Sequence, residues 1–307
     1  NLKGKKYIPK NEIIMAGKNN DFKTVKFNNH KFYIVGKIND RKGSINYQQN
    51  KSIKLIYNIY GLTRKHYQDI MALEVDKVNI SNDLIFDMKS NAGRFNFLKT
   101  NHKKKTVSIV KGNWEIKSPI ILPDGYKLIV KENTNLYLTG NGIILAKGPI
   151  DLDGTKEFPI KILSRDKGKG IVVMNGKNTS ILKHTIFEGQ SPMDSNSINL
   201  TGGVSFYKSP VHISNCSFIN SNTEDALNLF RSDFSISNTN FYNAKSDALD
   251  IDFSNGVINN SKFEMIGNDA IDISGSIVMA NNVNIIKADD KAISVGEKGK
   301  FYIKNSL

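Results

Sequence analysis

The segments DALNL (225–229), DALDI (247–251), DAIDI (269–273) and KAISV (291–295) are four copies of one phrase, spaced 22 residues apart. A fixed period between about 20 and 50 residues marks a stacked repeat, in which each unit buries its apolar face against its neighbours. The sequence therefore predicts a solenoid that includes residues 225–295.

Apolar and polar residues alternate within each copy, as in a strand with one buried face. Leu227 and Leu229 are expected to point into the core, since a polar group buried without a partner costs about 1–3 kcal/mol. The opposite face then carries an outward column of Asn228, Asp250, Asp272 and Ser294. A second polar column consists of the first residue of each copy, which is expected at a corner between strands: Asp225, Asp247, Asp269 and Lys291.

Two further columns recur with spacings of 22 or 23 residues, and a single-residue bulge would absorb the difference. One is apolar and predicts stacked core residues: Phe218, Phe241, Phe263 and Ile285. The other predicts an internal amide ladder at a corner: Asn215, Asn238, Asn260 and Asn282.

Residues 106–163 consist of β-rich runs of about three to five residues, broken by Gly, Asn, Asp and Pro. Such runs are too short for sandwich hairpins but suit the rungs of a solenoid. The phrase DLDGTKEFPIKI (151–162) resembles the entry rungs of secreted bacterial right-handed parallel β-helix proteins of the pectate-lyase-like superfamily. LTGGV (200–204), DFSNG (252–256) and ISVGEK (293–298) resemble uncharacterised secreted bacterial members.

This resemblance covers residues 106–307 and implies an all-β fold, a right-handed parallel β-helix. Members of the superfamily act on acidic polysaccharides as lyases, hydrolases or epimerases, whereas others are adhesins, tailspikes or scaffolds. The chain departs from the characterised enzymes: the polygalacturonase-like motif set is absent, Asp289-Asp290 is the sole Asp-Asp pair, and the Asp-Pro-His motif of mannuronan epimerases is missing. Fold alone does not transfer function.

Residues 1–105 lack the 22-residue period and are predicted to form a separate basic cap domain, α+β or β-rich, ahead of the β-helix at 106–307. Strands are expected within 25–38 and at 53–60. The spacing of apolar residues predicts a short helix at 63–75.

The net charge of +14 is unevenly distributed, because residues 1–110 carry 22 Lys and Arg against eight Asp and Glu, while residues 111–307 carry 21 of each. Such asymmetry indicates different surroundings for the two parts. Solvated lysines, attraction to an acidic polysaccharide or membrane surface, and nucleic-acid binding all fit the basic part. The lack of a recognised nucleic-acid motif disfavours the last of these.

Carboxyl groups on successive rungs would lie about 5 Å apart, where like charges raise a pKa or recruit a cation. Calcium binds six to eight oxygens, often from several carboxylates, so Asp250 and Asp272 are a candidate calcium site. Two carboxyls about 5 Å apart also fit retaining glycoside hydrolysis, whereas about 6.5–9.5 Å fits inversion. A lyase or epimerase would instead need a basic group and charge neutralisation.

The corner aspartates are interpreted as structural, since Asp at a tight turn hydrogen-bonds to nearby backbone amides. The functional prediction therefore falls on the strand. Candidate catalytic residues are Asp250, Asp272, Asp252 and Arg231; candidate substrate-binding residues are Asn228, Lys208, Lys245, Lys291 and His212.

Cys216 is the single cysteine, which excludes an internal disulfide, and it is expected to be a small residue packed at a corner. The sequence contains no run of about 18 uncharged apolar residues, so no transmembrane helix is predicted. The chain opens with Asn1, as expected of a processed or trimmed fragment.

The sequence thus predicts an extracellular, cell-surface or periplasmic β-helix protein that binds or modifies a polysaccharide, expected to be acidic. The alternative is a non-catalytic scaffold or adhesion module whose β-helix face contacts a protein partner or a second copy of the chain.

Overall fold

The computed structural model describes residues 12–16, 22–26, 53–58, 65–70, 89–192 and 201–307. The chain divides into two units, Asn1–Asn79 and Ile80–Leu307. The first unit contains two antiparallel strand pairs, β1 with β2 and β3 with β4. Their bounds are β1 Glu12–Ala16, β2 Phe22–Lys26, β3 Ile53–Asn58 and β4 Lys65–Ile70.

The strand expected at 53–60 is confirmed by β3, but the helix expected at 63–75 is wrong, because residues 65–70 form β4. Antiparallel pairing with β3 outweighs the local spacing of apolar residues, which is ambiguous in a run this short. Of the segment 25–38, only residues 25 and 26 lie within the described residues, at the end of β2.

The described residues of the second unit form one three-residue 3₁₀ turn, Ala92–Arg94, and 24 strands. In chain order the strands are β5 Leu98–Asn101, β6 Thr106–Ile109, β7 Gly112–Ile116, β8 Ile120–Ile121, β9 Lys127–Lys131, β10 Thr134–Thr139, β11 Ile144–Ala146, β12 Ile150–Asp153, β13 Ile160–Arg165, β14 Ile171–Met174, β15 Ser180–Lys183, β16 Thr185–Glu188, β17 Gly202–Tyr207, β18 Val211–Ser214, β19 Ser217–Ile219, β20 Asp225–Phe230, β21 Phe234–Ser237, β22 Asn240–Ala244, β23 Asp247–Asp252, β24 Asn255–Ile266, β25 Ile271–Ser274, β26 Ile277–Ile285, β27 Ile293–Gly296 and β28 Lys300–Lys304.

Successive rungs contribute strands to three parallel faces, which we call sheets A, B and C. Sheet A is β8-β11-β14-β17-β20-β23-β25-β27. Sheet B runs from β6 through β9, β12, β15, β18 and β21 to β28, and sheet C runs from β7 through β10, β13, β16 and β19 to β22. The long strands β24 and β26 pass from sheet B to sheet C without a break. The result is a right-handed parallel β-helix of about eight rungs, which confirms the predicted fold.

Along most strands of the second unit, alternation of side chains fills the interior with Leu, Ile, Val and Phe. The predicted Phe column is confirmed: Phe218, Phe241 and Phe263 are register partners, with ring centroids 4.8 and 4.7 Å apart, and Phe187 extends the stack by one rung at 4.9 Å. Ile285 follows Phe263 in register. Like residues therefore stack at about the 4.8 Å spacing of neighbouring strands.

The Asn column does not form an internal ladder, and that prediction is wrong. Each of its four residues is exposed and lies at a corner in the left-handed conformation, with φ from 48° to 54°. Asn is common at such positions because it tolerates positive φ. One hydrogen bond between side-chain amides joins two of them, and Asn282 Nδ2 donates it to Asn260 Oδ1 at 2.9 Å.

The buried ladder consists instead of hydroxyl groups at the corner between sheets A and B. Ser209, Ser232 and Ser254 each donate their backbone N–H to the hydroxyl of the serine one rung further on, at 2.8–2.9 Å, and Ser276 ends the row. The buried backbone donors of Ser209, Ser232 and Ser254 are thereby satisfied.

Cys216 is buried at a corner, as expected, and its Sγ donates to the Ser214 carbonyl at 3.3 Å. Burial raises the pKa of its thiol to about 12, so the thiolate is not available at neutral pH. Phe97 and Leu98, which precede β6, are buried in the same core as Val107. The two-domain division at residue 105 stays a prediction.

Candidate functional site

The outer face of sheet A carries the predicted column of polar residues. Asn228, Asp250 and Asp272 are direct register partners across β20, β23 and β25, and Ser294 follows in β27. All four are half-buried, whereas Leu249, on the opposite side of the same strand, is fully buried. The predicted alternation is therefore confirmed.

The same column changes chemistry along the solenoid. In the first rungs it is apolar, with Ile121, Leu145 and Val172 in register on β8, β11 and β14. These side chains are buried in a small cluster separate from the main core. Polar residues begin at Ser205 on β17, so a polar outer face is confined to the rungs from β17 to β27.

The corner column that precedes each strand of sheet A holds the backbone. Asp247 Oδ1 accepts the backbone N–H of Asp269 at 2.9 Å and Asn268 Nδ2 at 2.6 Å. Asp269 Oδ1 accepts the backbone N–H of Lys291 at 2.9 Å. Both carboxyls are buried, and each satisfies a donor of the next rung, as the structural interpretation of these aspartates predicts.

The strand column differs because its carboxyl groups face one another. Asn228 Nδ2 donates to Asp250 Oδ2 at 2.6 Å and lies 3.3 Å from Asp225 Oδ2. Burial, followed by the like charges of Asp225, Asp252 and Asp272, raises the pKa of Asp250 to about 8. Asp250 therefore retains its proton at neutral pH.

Two neighbouring carboxyls, those of Asp225 and Asp252, also have raised pKa values. Burial raises the pKa of Asp225 to about 7, against a hydrogen bond from Thr201 that lowers it. Burial, and then the charge of Asp272, also raises the pKa of Asp252, which is the next outward residue after Asp250 on β23. The outer face thus brings several carboxyls with raised pKa values together.

Aromatic side chains border these carboxyls. Tyr207 and Phe230 lie in the column that continues into Asp252, and their rings stack at 4.9 Å with an interplanar angle of 2°. Phe253 is 47% exposed and meets Phe230 edge-on, with centroids 5.9 Å apart. A Cβ atom on Gly275 would lie 2.7 Å from the Phe253 ring, so the absence of a side chain at Gly275 makes room for this ring.

Two cations cover these rings. The Arg231 guanidinium lies 5.3 Å from the Phe230 centroid and 5.8 Å from that of Phe253. Lys208 Nζ lies 5.3 Å from the Tyr207 centroid. Cation–π contacts of this kind are worth about 0.5–1 kcal/mol at exposed sites. Arg231 and Lys208 are therefore held at one border of the acidic column.

The backbone beneath these three side chains is unusual. Lys208, Arg231 and Phe253 each have φ of 49°, in the left-handed region that long and aromatic residues rarely adopt. The corner between sheets B and C has the same conformation but uses asparagine in four successive rungs. Each of these positions carries a backbone strain of about 1–3 kcal/mol.

We call this surface the outer strip. It consists of Tyr207, Lys208, Asn228, Phe230, Arg231, Asp250, Asp252, Phe253 and Asp272. Sequence reasoning missed its three aromatic residues, although their equal spacing of 23 residues (207, 230, 253) was a usable signal.

Three predicted substrate-binding residues lie away from the strip. His212 is on β18 of sheet B, where its Nδ1 lies 2.6 Å from Ser235 Oγ, so it faces a different side of the solenoid. Lys291 Nζ contacts Asp269 and Asp290 at the corner before β27. Lys245 is exposed on the loop before β23. The roles predicted for individual residues stay predictions.

Within the described ranges, no group of three or more His, Cys, Asp or Glu side chains has the geometry of a metal site. Calcium at Asp250 and Asp272 stays a prediction. The described residues also contain no helix that could span a bilayer, since their helical structure amounts to the 3₁₀ turn.

No family model matches the chain, and no curated protein matches it. Among solved structures, the chain is similar to the catalytic unit of a thermostable GH87 α-1,3-glucanase from Streptomyces thermodiastaticus strain HF3-3, with 11% identity, a TM-score of 0.27 and coverage of 65% of this chain and 49% of the other. It is also similar to a putative glycosyl hydrolase from Parabacteroides merdae ATCC 43184, with 10% identity, a TM-score of 0.19 and coverage of 64% and 82%. The chain thus spans about half the length of the glucanase unit.

Proposed function

We propose that the protein binds a polysaccharide along the outer strip of sheet A, and that Asp250 and Asp272 carry any reaction on it. The observation that carries this proposal is the placement of aromatic rings, with Phe253 at a strained corner, beside half-buried carboxyls on successive rungs. An extracellular, cell-surface or periplasmic location belongs to the same proposal.

The chemistry of the strip suits a sugar chain. Sugars present apolar C–H faces and many hydroxyl groups, and binding sites for such ligands combine apolar surface with a few placed polar groups. Phe253 offers exposed apolar surface at one border. Asp252 and Asp272 supply carboxyl oxygens that accept hydrogen bonds from hydroxyl groups. Because the strip crosses four strands, it extends over about 15 Å along the solenoid, which is room for several sugar units.

The same geometry supports one class of reaction better than the others. Asp250 is protonated at neutral pH, as a general acid must be, and Asp272 is its register partner on the adjacent strand, where neighbouring strands are spaced about 4.8 Å apart. Retaining glycoside hydrolases place two carboxyls about 5–5.5 Å apart. Asp250 would protonate the leaving oxygen while Asp272 attacks the sugar carbon, and water would then release the sugar from Asp272. Lyase and epimerase chemistry receives less support, because the strip's cations lie over aromatic rings.

The test measures binding and turnover of a panel of polysaccharides by the full chain. Asp250→Asn and Asp272→Asn should each lower turnover by about 10²-fold or more while leaving the melting temperature at neutral pH unchanged or higher. Asp151→Asn is the matched control, since Asp151 is also a half-buried outward carboxyl on a strand, but on sheet B, where it pairs with Lys127 at 2.8 Å. No binding to any polysaccharide would overturn the proposal, and binding without turnover would reduce it to a binding function.

A second candidate function rests on a different surface. Ile277, Met279 and Tyr302 are about half exposed on the last rungs of sheet B, beside a groove of about 560 Å³. Apolar patches of this kind often mark protein contacts, which favours the scaffold or adhesion alternative. Light scattering on the wild type and on Met279→Lys tests it. An assembly that the lysine disrupts would support this function, and a monomer at all concentrations would count against self-association.

A further inference from the structure

The carboxyls of the outer strip have no cation to neutralise them. Among the described residues, Asp250, Asp252 and Asp272 form no ion pair within 4.0 Å. The contact that Asp250 does make is with the neutral amide of Asn228. A ligand that lies over the centre of the strip therefore meets carboxyl oxygens and an amide.

The two cations that belong to the strip contact aromatic rings. Arg231 and Lys208 lie over the rings of Phe230 and Tyr207 at the border of the strip. The chain's excess positive charge lies in residues 1–110, whereas the whole strip belongs to residues 111–307, where Lys and Arg equal Asp and Glu in number. Net charge therefore says little about the ligand of this face.

We infer that the strip selects a neutral polysaccharide and rejects an acidic one, an inference that rests on the proposed function of this face. An acidic sugar unit would bring its carboxylate or sulfate against Asp252 and Asp272, and like charges at close range repel. Neutral sugars instead donate hydroxyl hydrogens to the same oxygens. This reverses the expectation of an acidic polysaccharide that the sequence raised.

Aromatic contacts reinforce the selection. Phe253, fitted over Gly275, binds the uncharged C–H face of a sugar ring, and it does so whatever hydroxyl pattern that ring carries. Specificity at this face then arises from a repulsive element, the aspartates, together with an attractive one, the rings.

Two matched probes separate the effect of charge from that of the sugar chain. Polygalacturonate and its fully methyl-esterified form have the same sugar chain and differ in the carboxylate. The full chain is tested by calorimetry against this pair and on an array that also contains neutral glucans, mannans and xylans as well as alginate and hyaluronan. We expect binding to neutral members, and affinity for any esterified chain at least about tenfold above that for its acid. Raising the salt to about 1 M, where the screening length is about 3 Å, should shrink that ratio.

The variant Asp252→Asn/Asp272→Asn should also shrink the ratio between neutral and anionic affinities, whereas Asp151→Asn should not. Preferential binding of anionic polysaccharides, with or without added calcium, would overturn the inference while leaving polysaccharide binding intact. If no array member binds, it is the proposed function itself that fails.

Discussion

Two rows of aspartate lie three residues apart on sheet A, and the structure uses them differently. In the corner row, Asp247 and Asp269 accept backbone N–H groups of the next rung. In the strand row, Asp250 and Asp272 accept no backbone hydrogen bond among those the structure describes, and their neighbours are other carboxyls. The same residue type thus holds the backbone in one row and remains available to a ligand in the other.

This comparison separates stability from function within a single 22-residue repeat. A row that satisfies buried donors is needed for every rung to close, so its removal should be felt by the whole solenoid. A row that gathers like charges opposes folding, and such a row persists in a structure when its chemistry serves another purpose. The predictions below test that division, from the largest effect on stability to the smallest.

The largest effect is expected at the corner row. Asp247→Ala leaves the backbone N–H of Asp269 and the amide of Asn268 without their acceptor, so the free energy of unfolding should fall by about 2–3 kcal/mol in urea denaturation. Asp247→Asn keeps an acceptor oxygen and should lose about half as much. A loss from Asp250→Asn as large as that from Asp247→Ala would remove the distinction between the two rows.

The buried carboxyls around Asp250 should give a pH dependence of stability with a defined sign. The pKa values of Asp250, about 8, and Asp225, about 7, lie above the ordinary value of 3.8, so the folded state binds these protons more tightly than the unfolded chain. Their stabilising contribution is complete below about pH 4 and is lost as the pH rises through 7 and 8. The free energy of unfolding should therefore decrease between about pH 5 and pH 9.

Asp250→Asn removes the titration of Asp250. Its melting temperature should vary less with pH than that of the wild type, and at about pH 9 the variant should be more stable by on the order of 1–2 kcal/mol. Glu157→Gln, at an exposed carboxyl, is the control and should follow the wild-type curve. A wild-type curve that is flat from pH 5 to 9 would show that the buried carboxyls do not hold their protons.

The sequence predicted the solenoid and the strand register because like residues stack on successive rungs. Leu249 and Ile271 share one period, and so do Asp250 and Asp272, so each column could be assigned to a face before the structure was known. The first unit lacks such a period. The prediction for residues 65–70 rested on the local spacing of apolar residues alone, and the helix expected there is a strand.

The candidate site was predicted only in part, for a geometric reason. Period reasoning finds residues of one type repeated in one column, and Asp250 and Asp272 meet that condition. The aromatic residues of the strip do not all share one column. Phe230 is the register partner of Asp252, whereas Phe253 occupies the following corner. Arg231 was predicted for its charge, but what it contacts depends on ring positions that the repeat does not encode.

The smallest effect on stability is expected at the corner between sheets A and B. Arg231→Asn places a residue that tolerates positive φ at a backbone angle of 49°, and this gain offsets the lost cation–π contacts of about 0.5–1 kcal/mol. The free energy of unfolding should therefore change by less than about 0.5 kcal/mol, while affinity for a neutral polysaccharide falls severalfold because the Phe253 ring loses its support.

The reverse exchange at the other corner completes the comparison. Asn238 has φ of 48°, is exposed, and lies at the corner between sheets B and C. Asn238→Arg should lower the free energy of unfolding by about 1 kcal/mol, because it adds left-handed strain, and should leave polysaccharide affinity unchanged. If the two variants change stability and polysaccharide affinity in the same way, the backbone conformation alone accounts for the effect of replacing Arg231. Opposite behaviour would assign its side chain to the ligand.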